Sequence, residues 1–173
     1  MTDVLVRPAE AGDAAALVRL GAEVGSEPEG WLISGGWRGV GHERRYLRTV
    51  RRSGDAAVFV AEAEEGIVGR LSIARDSHPA SRHVADLGLM VAGSHRRRGV
   101  GTALLDAAVD WARESGVRKL ELHVFPHNGA AIALYEKYGF RREGYRHAHY
   151  RREDGYVDAI LMAYEVSPRR KSA

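Results

Sequence analysis

Residues 89–102 read Leu-Met-Val-Ala-Gly-Ser-His-Arg-Arg-Arg-Gly-Val-Gly-Thr. An apolar run gives way to consecutive arginines and two close glycines, and a helical pattern begins at once. The first turn of a helix carries N–H groups without intrahelical partners and a partial positive charge. Glycines let that backbone approach an anion, and guanidinium groups add formal charge beside it. The arrangement suits a phosphate or pyrophosphate. A solvated surface run is the commoner role for an arginine triplet, but the flanking glycines and the strand-to-helix setting favour the anion. Two other phosphate loops do not fit. A dinucleotide fingerprint wants a third glycine where Leu104 stands, and a P-loop wants Gly-Lys, a dipeptide the chain lacks.

The other reactive residue types narrow the field further. The chain has no cysteine, which excludes a thiolate nucleophile, a disulfide scaffold and a cysteine zinc site. Its 8 histidines are scattered and form no His-Glu-x-x-His. His147 and His149 could share a strand face but have no acidic cluster nearby, so no metal is expected. His123 and His127 flank the end of one apolar strand pattern. Of 26 basic residues only Lys119, Lys137 and Lys171 are lysines, and the pI is about 9.4. Yet 23 acids hold the net charge to +3. Arg44, Arg45, Arg48, Arg51 and Arg52 make a basic helical stripe whose expected role is solvation. A nucleic-acid partner would need a broad basic face with aromatic interleaving, which is absent.

These residues must be held by a scaffold. A chain of 173 residues, 45% hydrophobic and 28% charged, has the make-up of one globular domain, expected over 1–166 with 167–173 as a disordered tail. No apolar run is long enough to cross a bilayer, and Met1-Thr2-Asp3-Val4 lacks signal-peptide features. The expected location is cytoplasmic, without a membrane partner. Periodicity predicts a strand at Val4–Arg7 closed by Pro8. A helix is predicted over Asp13–Val24 with Asp13 as N-cap, and another over His42–Arg52. The intervening loop holds Trp31 and Trp37. Ala56–Ala63 and Ile67–Ala74 predict a hairpin, and Val84–Val91 a further strand. A helix follows over Gly101–Glu114, then a strand over Lys119–Phe125. Asn128 caps a helix through Tyr138, Gly139 ends it, and Phe140–His147 and Val157–Val166 close the chain as strands. The order is that of an α+β domain with a mixed sheet.

The pattern Arg96-x-x-Gly99-x-Gly101 resembles motif A of the GNAT family of N-acetyltransferases, whose consensus is Gln/Arg-x-x-Gly-x-Gly/Ala. Downstream, Asn128-x-x-Ala131-x-x-Leu134-Tyr135-Glu136-Lys137-Tyr138-Gly139-Phe140 resembles the family's motif B. Order and spacing both agree, and with the element order the resemblance runs over residues 4–166. It implies a mixed, mostly antiparallel sheet of about seven strands flanked by about four helices. It also implies that Val84–Val91 and Lys119–Phe125 splay at their C-terminal ends to receive acetyl-CoA. The backbone of Met90 and Val91 would pair with the pantetheine arm. N–H groups of Arg97, Arg98, Gly99, Val100, Gly101 and Thr102 would hold the pyrophosphate, assisted by the Arg96 and Arg98 side chains.

Acetyl transfer to an amine needs a base for the amine, donors for the oxyanion and a proton for the departing thiolate. The resemblance assigns the last role to Tyr135, although periodicity alone sets that residue on an apolar face with Ala131, Leu134 and Tyr138. Asn128 would touch the cofactor as well as cap its helix. Asp86 and His83, on opposite faces of one strand, both stand as candidate bases. Acceptor contacts are expected from Glu27, Glu29, Trp31 and Tyr150, with Trp37, Tyr145 and Asp158 nearby. The run Tyr150-Arg151-Arg152-Glu153-Asp154-Gly155-Tyr156-Val157-Asp158, with His83-Val84-Ala85-Asp86, is similar to the subgroup acetylating free L-amino acids. The expected partner is a small primary amine, with a homodimer compatible. A peptide N-terminus as acceptor, or a non-catalytic acyl-CoA sensor, are the competing readings.

Overall fold

The computed structural model describes residues 3–33 and 37–168. The chain opens with strand β1 (Leu5–Pro8) and helices α1 (Ala14–Gly25) and α2 (Val40–Arg52). Strands β2 (Ala56–Ala63), β3 (Gly66–Arg75) and β4 (Val84–Val91) follow, then helix α3 (Val100–Ser115) and strand β5 (Lys119–Val124). Helix α4 (Gly129–Tyr138) leads into a long hairpin of β6 (Arg141–Arg152) and β7 (Gly155–Glu165). All strands join one 7-stranded sheet in the order β1-β2-β3-β4-β5-β7-β6, in which only β4 and β5 run parallel. The expected mixed, mostly antiparallel architecture is what forms.

Helices cover both faces of the sheet. In α3, Leu104, Leu105, Ala108, Val109 and Ala112 recur at helical spacing and are buried. They pack with Leu71, Ile73, Leu87, Leu120 and Leu122, which alternation puts on one side of their strands. On the other side Leu17 of α1 and Leu47 and Val50 of α2 close over Val58 and Val60. Complete burial of a leucine such as Leu104 removes enough apolar surface to contribute about 1.5–3 kcal/mol. Gly101 lets α3 meet α4, since a Cβ there would stand 2.7 Å from Leu134 Cδ2.

Three local expectations are corrected. Asp13 does not cap α1: its carboxylate turns back to accept from the Glu10 N–H at 2.7 Å and from Arg7 at 2.8 and 3.0 Å. A short 3-10 turn, Ala11–Asp13, absorbs that geometry before the helix starts. Helix α2 begins two residues earlier than expected, at Val40. The final hairpin is longer than its sequence pattern because β6 and β7 go on pairing with each other past the end of β5, to Arg152 and back from Gly155. Most of the expected C-terminal tail, 169–173, lies outside the described residues.

Candidate active site

The β4–β5 pairing sets the position of everything else. It joins Val84 with Lys119, Ala85 with Leu120 and Asp86 with Glu121, and then stops. Beyond that point β4 stays with β3 as far as Val91, and β5 stays with β7 as far as Val124. The two central strands therefore part at their C-terminal ends, as expected. Alternate residues of an antiparallel ladder turn both backbone groups toward the same neighbour. The Ala92 N–H donates to the Val68 carbonyl at 2.8 Å, and the Val84 carbonyl accepts from the Asp76 N–H at 2.9 Å. Even-numbered positions of β4 thus face β3, and Leu87, Leu89 and Val91 face the gap. This corrects the expectation for Met90, whose backbone is committed to Arg70 across the ladder and whose side chain is buried. Leu89 is the residue that shares the open edge with Val91.

The loop from β4 to α3 is built from backbone. After a 3-10 turn at Gly93–His95, Arg97 and Gly99 both take positive φ, 64° and 79°. Gly99 tolerates that conformation without strain; Arg97 does so at a cost that functional loops often carry. Gly99 is also the N-cap of α3 and has no side chain to occupy the N–H groups of Val100, Gly101 and Thr102. Arg97 and Arg98 are exposed, and among the described residues neither makes a side-chain hydrogen bond or ion pair. Donors and charge thus converge as an anion site requires.

Arg96 has other work than was expected of it. Its Nη1 and Nη2 donate to Glu27 Oε2 and Oε1 at 2.7 and 2.6 Å, and its Nε donates to the Val91 carbonyl at 3.1 Å. Glu27 also accepts from Trp31 Nε1 at 2.7 Å. The Arg96 guanidinium, opposed by burial and assisted by the Trp31 bond, holds the Glu27 carboxyl below its usual range. Glu27, expected to attract the amine, is instead a neutralised joint between the phosphate loop and the loop after α1. His95, which sequence reasoning passed over, is buried and ties the same loop to Glu65 at 2.7 Å.

Asp86 and His83 separate clearly. Asp86 sits where the strands part, cross-strand from Glu121. Its carboxyl still meets solvent, but crowding by protein atoms and the charge of Glu121 push it up to about 6, against an opposing pull from Arg146. His83 is exposed before the other end of β4, where its carbonyl accepts from the Arg118 and Lys119 N–H groups at 2.8 and 3.1 Å. Three residues of strand separate it from Asp86, roughly 10 Å, so the fold does not bring it to the gap.

Tyr135 is 6% exposed and packs on Phe140 at 5.6 Å. Its hydroxyl has no hydrogen-bond partner among the described residues, and burial raises it far above the ordinary phenol range, so it stays protonated. Asn128 performs its capping role, its Oδ1 accepting from the Ala131 N–H at 3.2 Å.

The side expected to meet the acceptor is assembled from distant segments. Arg152 Nη1 donates to the Gly30 and Leu32 carbonyls at 3.0 and 3.2 Å while lying over the Phe125 ring at 5.5 Å. His127 Nε2 meets the Glu29 carbonyl at 2.9 Å, and its ring stacks on Trp31 at 5.6 Å. Tyr150 Oη lies 2.5 Å from His123 Nδ1, with His149 edge-on to both rings. His123, pressed by burial and by Arg146, is held below its usual pKa and is neutral at pH 7. Trp31 and Tyr150, both expected to contact the acceptor, lie within these clusters. Glu29 contributes only its carbonyl among the polar contacts described. Arg146 and Arg152 were not assigned from sequence. His123 and His127 stand in the sequence at the end of an apolar strand pattern, where one could contact substrate, with a surface role as the commoner expectation. The signal for His123 was available, since Leu120, Leu122 and Val124 take the other face of its strand. Among the described residues, no group of histidines and acids is arranged to hold a metal.

Residues 23–140 match the model of the Acetyltransferase (GNAT) family. Over 169 residues, 94% of this chain and 98% of the relative, the sequence is 31% identical to the L-amino acid N-acetyltransferase AaaT of Escherichia coli. The chain belongs to the GNAT family. It is an N-acetyltransferase. A shorter stretch of 73 residues, 42% of this GNAT chain and 49% of the relative, is 44% identical to the [Ribosomal protein bS18]-alanine N-acetyltransferase of Escherichia coli. The fold superposes on a GNAT acetyltransferase from Streptococcus pneumoniae with a TM-score of 0.85 at 29% identity, covering 95% of this chain and 99% of that one. The acetyltransferase yncA of Salmonella typhimurium, solved with acetyl-CoA, gives 0.85 at 19% identity and 95% of both chains.

Proposed function

We propose that this enzyme moves an acetyl group from acetyl-CoA directly to the primary amine of a small acceptor, a free amino acid foremost, in the cytoplasm. The observation that carries the reading is the parting of β4 from β5 after Asp86 and Glu121, beside a loop whose amides and arginines suit a pyrophosphate. A full-length relative named for L-amino acids, and a similar fold solved with acetyl-CoA, support it.

Acetyl-CoA supplies an activated thioester; the rest of the chemistry belongs to the chain. The N–H groups from Arg97 to Thr102 would hold the pyrophosphate, with the Arg98 side chain beside them. Leu89 and Val91 would pair with the pantetheine arm as an added strand does, the Val91 carbonyl being shared with Arg96. Asp86, ionised above about pH 6, takes the proton from the acceptor ammonium, whose own pKa is about 8 for an α-amino group. The amine attacks the acyl carbon, the C–S bond breaks, and Tyr135, still protonated, donates to the leaving sulfur. Tyr135→Phe is expected to lower kcat at least tenfold with little change in acetyl-CoA affinity.

A protein N-terminus is the second reading, favoured by the bS18-alanine relative. The hydrogen bonds by which Arg152 and His127 tie down the Glu27–Leu32 loop support the small substrate over a long peptide. Thiol release from acetyl-CoA, screened against amino acids, polyamines, aminoglycosides and peptide N-termini, tests the choice. Turnover confined to peptides would overturn it.

A further inference from the structure

Resting on the small-amine reading, we infer that Arg146 is the residue that selects the acceptor, by pairing with a carboxylate that the substrate carries beside its amine. Alternation of side chains fixes the placement. Glu121 and His123 of β5 lie opposite Ala163 and Leu161 of β7, and Arg146 of β6 lies opposite Ala159, so all share one face of the sheet. That face is the one on which Asp86 stands beside Glu121. On this face Glu121 is already paired with Lys119 at 2.9 Å. Among the described residues that leaves Asp86 as the carboxylate without an ion-pair partner where the strands part, and Arg146 as a guanidinium without one further along. A zwitterion, with ammonium and carboxylate a few ångströms apart, matches that polarity; a simple monoamine matches only half of it.

Two further observations point the same way. Arg146 is exposed and makes no side-chain hydrogen bond and no ion pair among the described residues, so its donors are open to a ligand. The strand is also distorted immediately after it. Between Arg146 and Tyr150 the register slips, with Ala148 at a φ of 47°. Asp158 holds the slip in place, accepting from the Ala148 N–H and from Tyr145 Oη, each at 2.6 Å. Irregularities of this kind re-aim side chains beside functional sites, and here the slip turns His149 onto Tyr150 and His123. Arg146 is the last regular residue before it, so its guanidinium stands at the rim of that aromatic group. A guanidinium binds a carboxylate through two parallel N–H donors, a geometry lysine does not reproduce.

The test compares an L-amino acid with its own carboxamide, which keeps the amine and side chain but loses the acid. For the unaltered enzyme kcat/KM should favour the free acid at least tenfold. Arg146→Gln should lower kcat/KM for the free acid ten- to a hundredfold, chiefly through KM, and bring the acid-to-amide ratio close to one. Arg146→Lys should recover part of the preference, and acetyl-CoA affinity measured by calorimetry should not move. Arg151→Gln, one residue along, is the control and should keep the full preference. A ratio that stays unchanged in Arg146→Gln would overturn the assignment while leaving amine acetylation intact. Turnover of peptides alone by the unaltered enzyme would overturn the small-amine reading and this one with it.

Discussion

The two halves of this site are made in opposite ways. The loop proposed for phosphate is local: strand, turn and helix follow one another from Val84 to Ser115, and the donors it offers are backbone N–H groups whose direction is set by two positive φ angles. The acceptor wall is assembled from afar. Arg152 reaches Gly30 across 122 residues and His127 reaches Glu29 across 98, and side chains make the contacts. A backbone site is insensitive to most substitutions except those that change φ, whereas a side-chain site can be altered one residue at a time.

The contrast can be broken or sharpened by substitution. The largest effect belongs to Asp86, where the halves meet. Asp86→Asn is expected to lower kcat/KM by about 10²–10⁴ and to remove a limb near pH 6 from its pH profile. The same change has a signature in stability. A carboxyl raised in the fold stabilises the protein at low pH, and that contribution is lost as pH rises through about 6. The asparagine variant should therefore be more stable at pH 7.5, by about 1 kcal/mol once solvent screening is allowed for, in a denaturant titration.

Gly99→Val comes next. Forcing a β-branched residue to a φ of 79° costs about 1–2 kcal/mol, so acetyl-CoA affinity should fall roughly tenfold in calorimetry. The acceptor KM should hardly move, and a large rise there would break the division between the halves. Glu27→Gln should cross it. Weakening the Arg96 pair frees both loops, with about a three- to tenfold rise in acceptor KM and a smaller loss of acetyl-CoA affinity. The smallest change is Arg152→Gln, about two- to threefold in acceptor KM alone, read from initial rates.

What was legible beforehand follows the same division. The glycines at 99 and 101, the arginine triplet and the strand before them are contiguous, so their order along the chain is their order in space. Helix α4 was legible for the same reason, from Asn128 to Gly139. Asp13 misled because a residue before a helix can turn either way, and Arg7, arriving on β1, decided the direction. Met90 misled because the phase of backbone hydrogen bonding along β4 depends on its register with β3. His83 and Asp86 could not be ranked until the end of the β4–β5 pairing was known.

By itself, then, the sequence determined the element order, the apolar faces of the helices and strands, the arginine- and glycine-rich turn before α3 and the lack of any cysteine. Each rests on interactions within a few residues or on composition. Tertiary structure alone decided that Arg96 serves Glu27, that Asp86 stands at the parting of the strands, and that Arg152 and His127 clasp the Glu27–Leu32 loop. It also decided that Arg146 shares a face of the sheet with Asp86 and His123. Those outcomes depend on strand register and on side chains brought together from across the sheet, where a shift of one residue along a strand would turn every one of them to the opposite face.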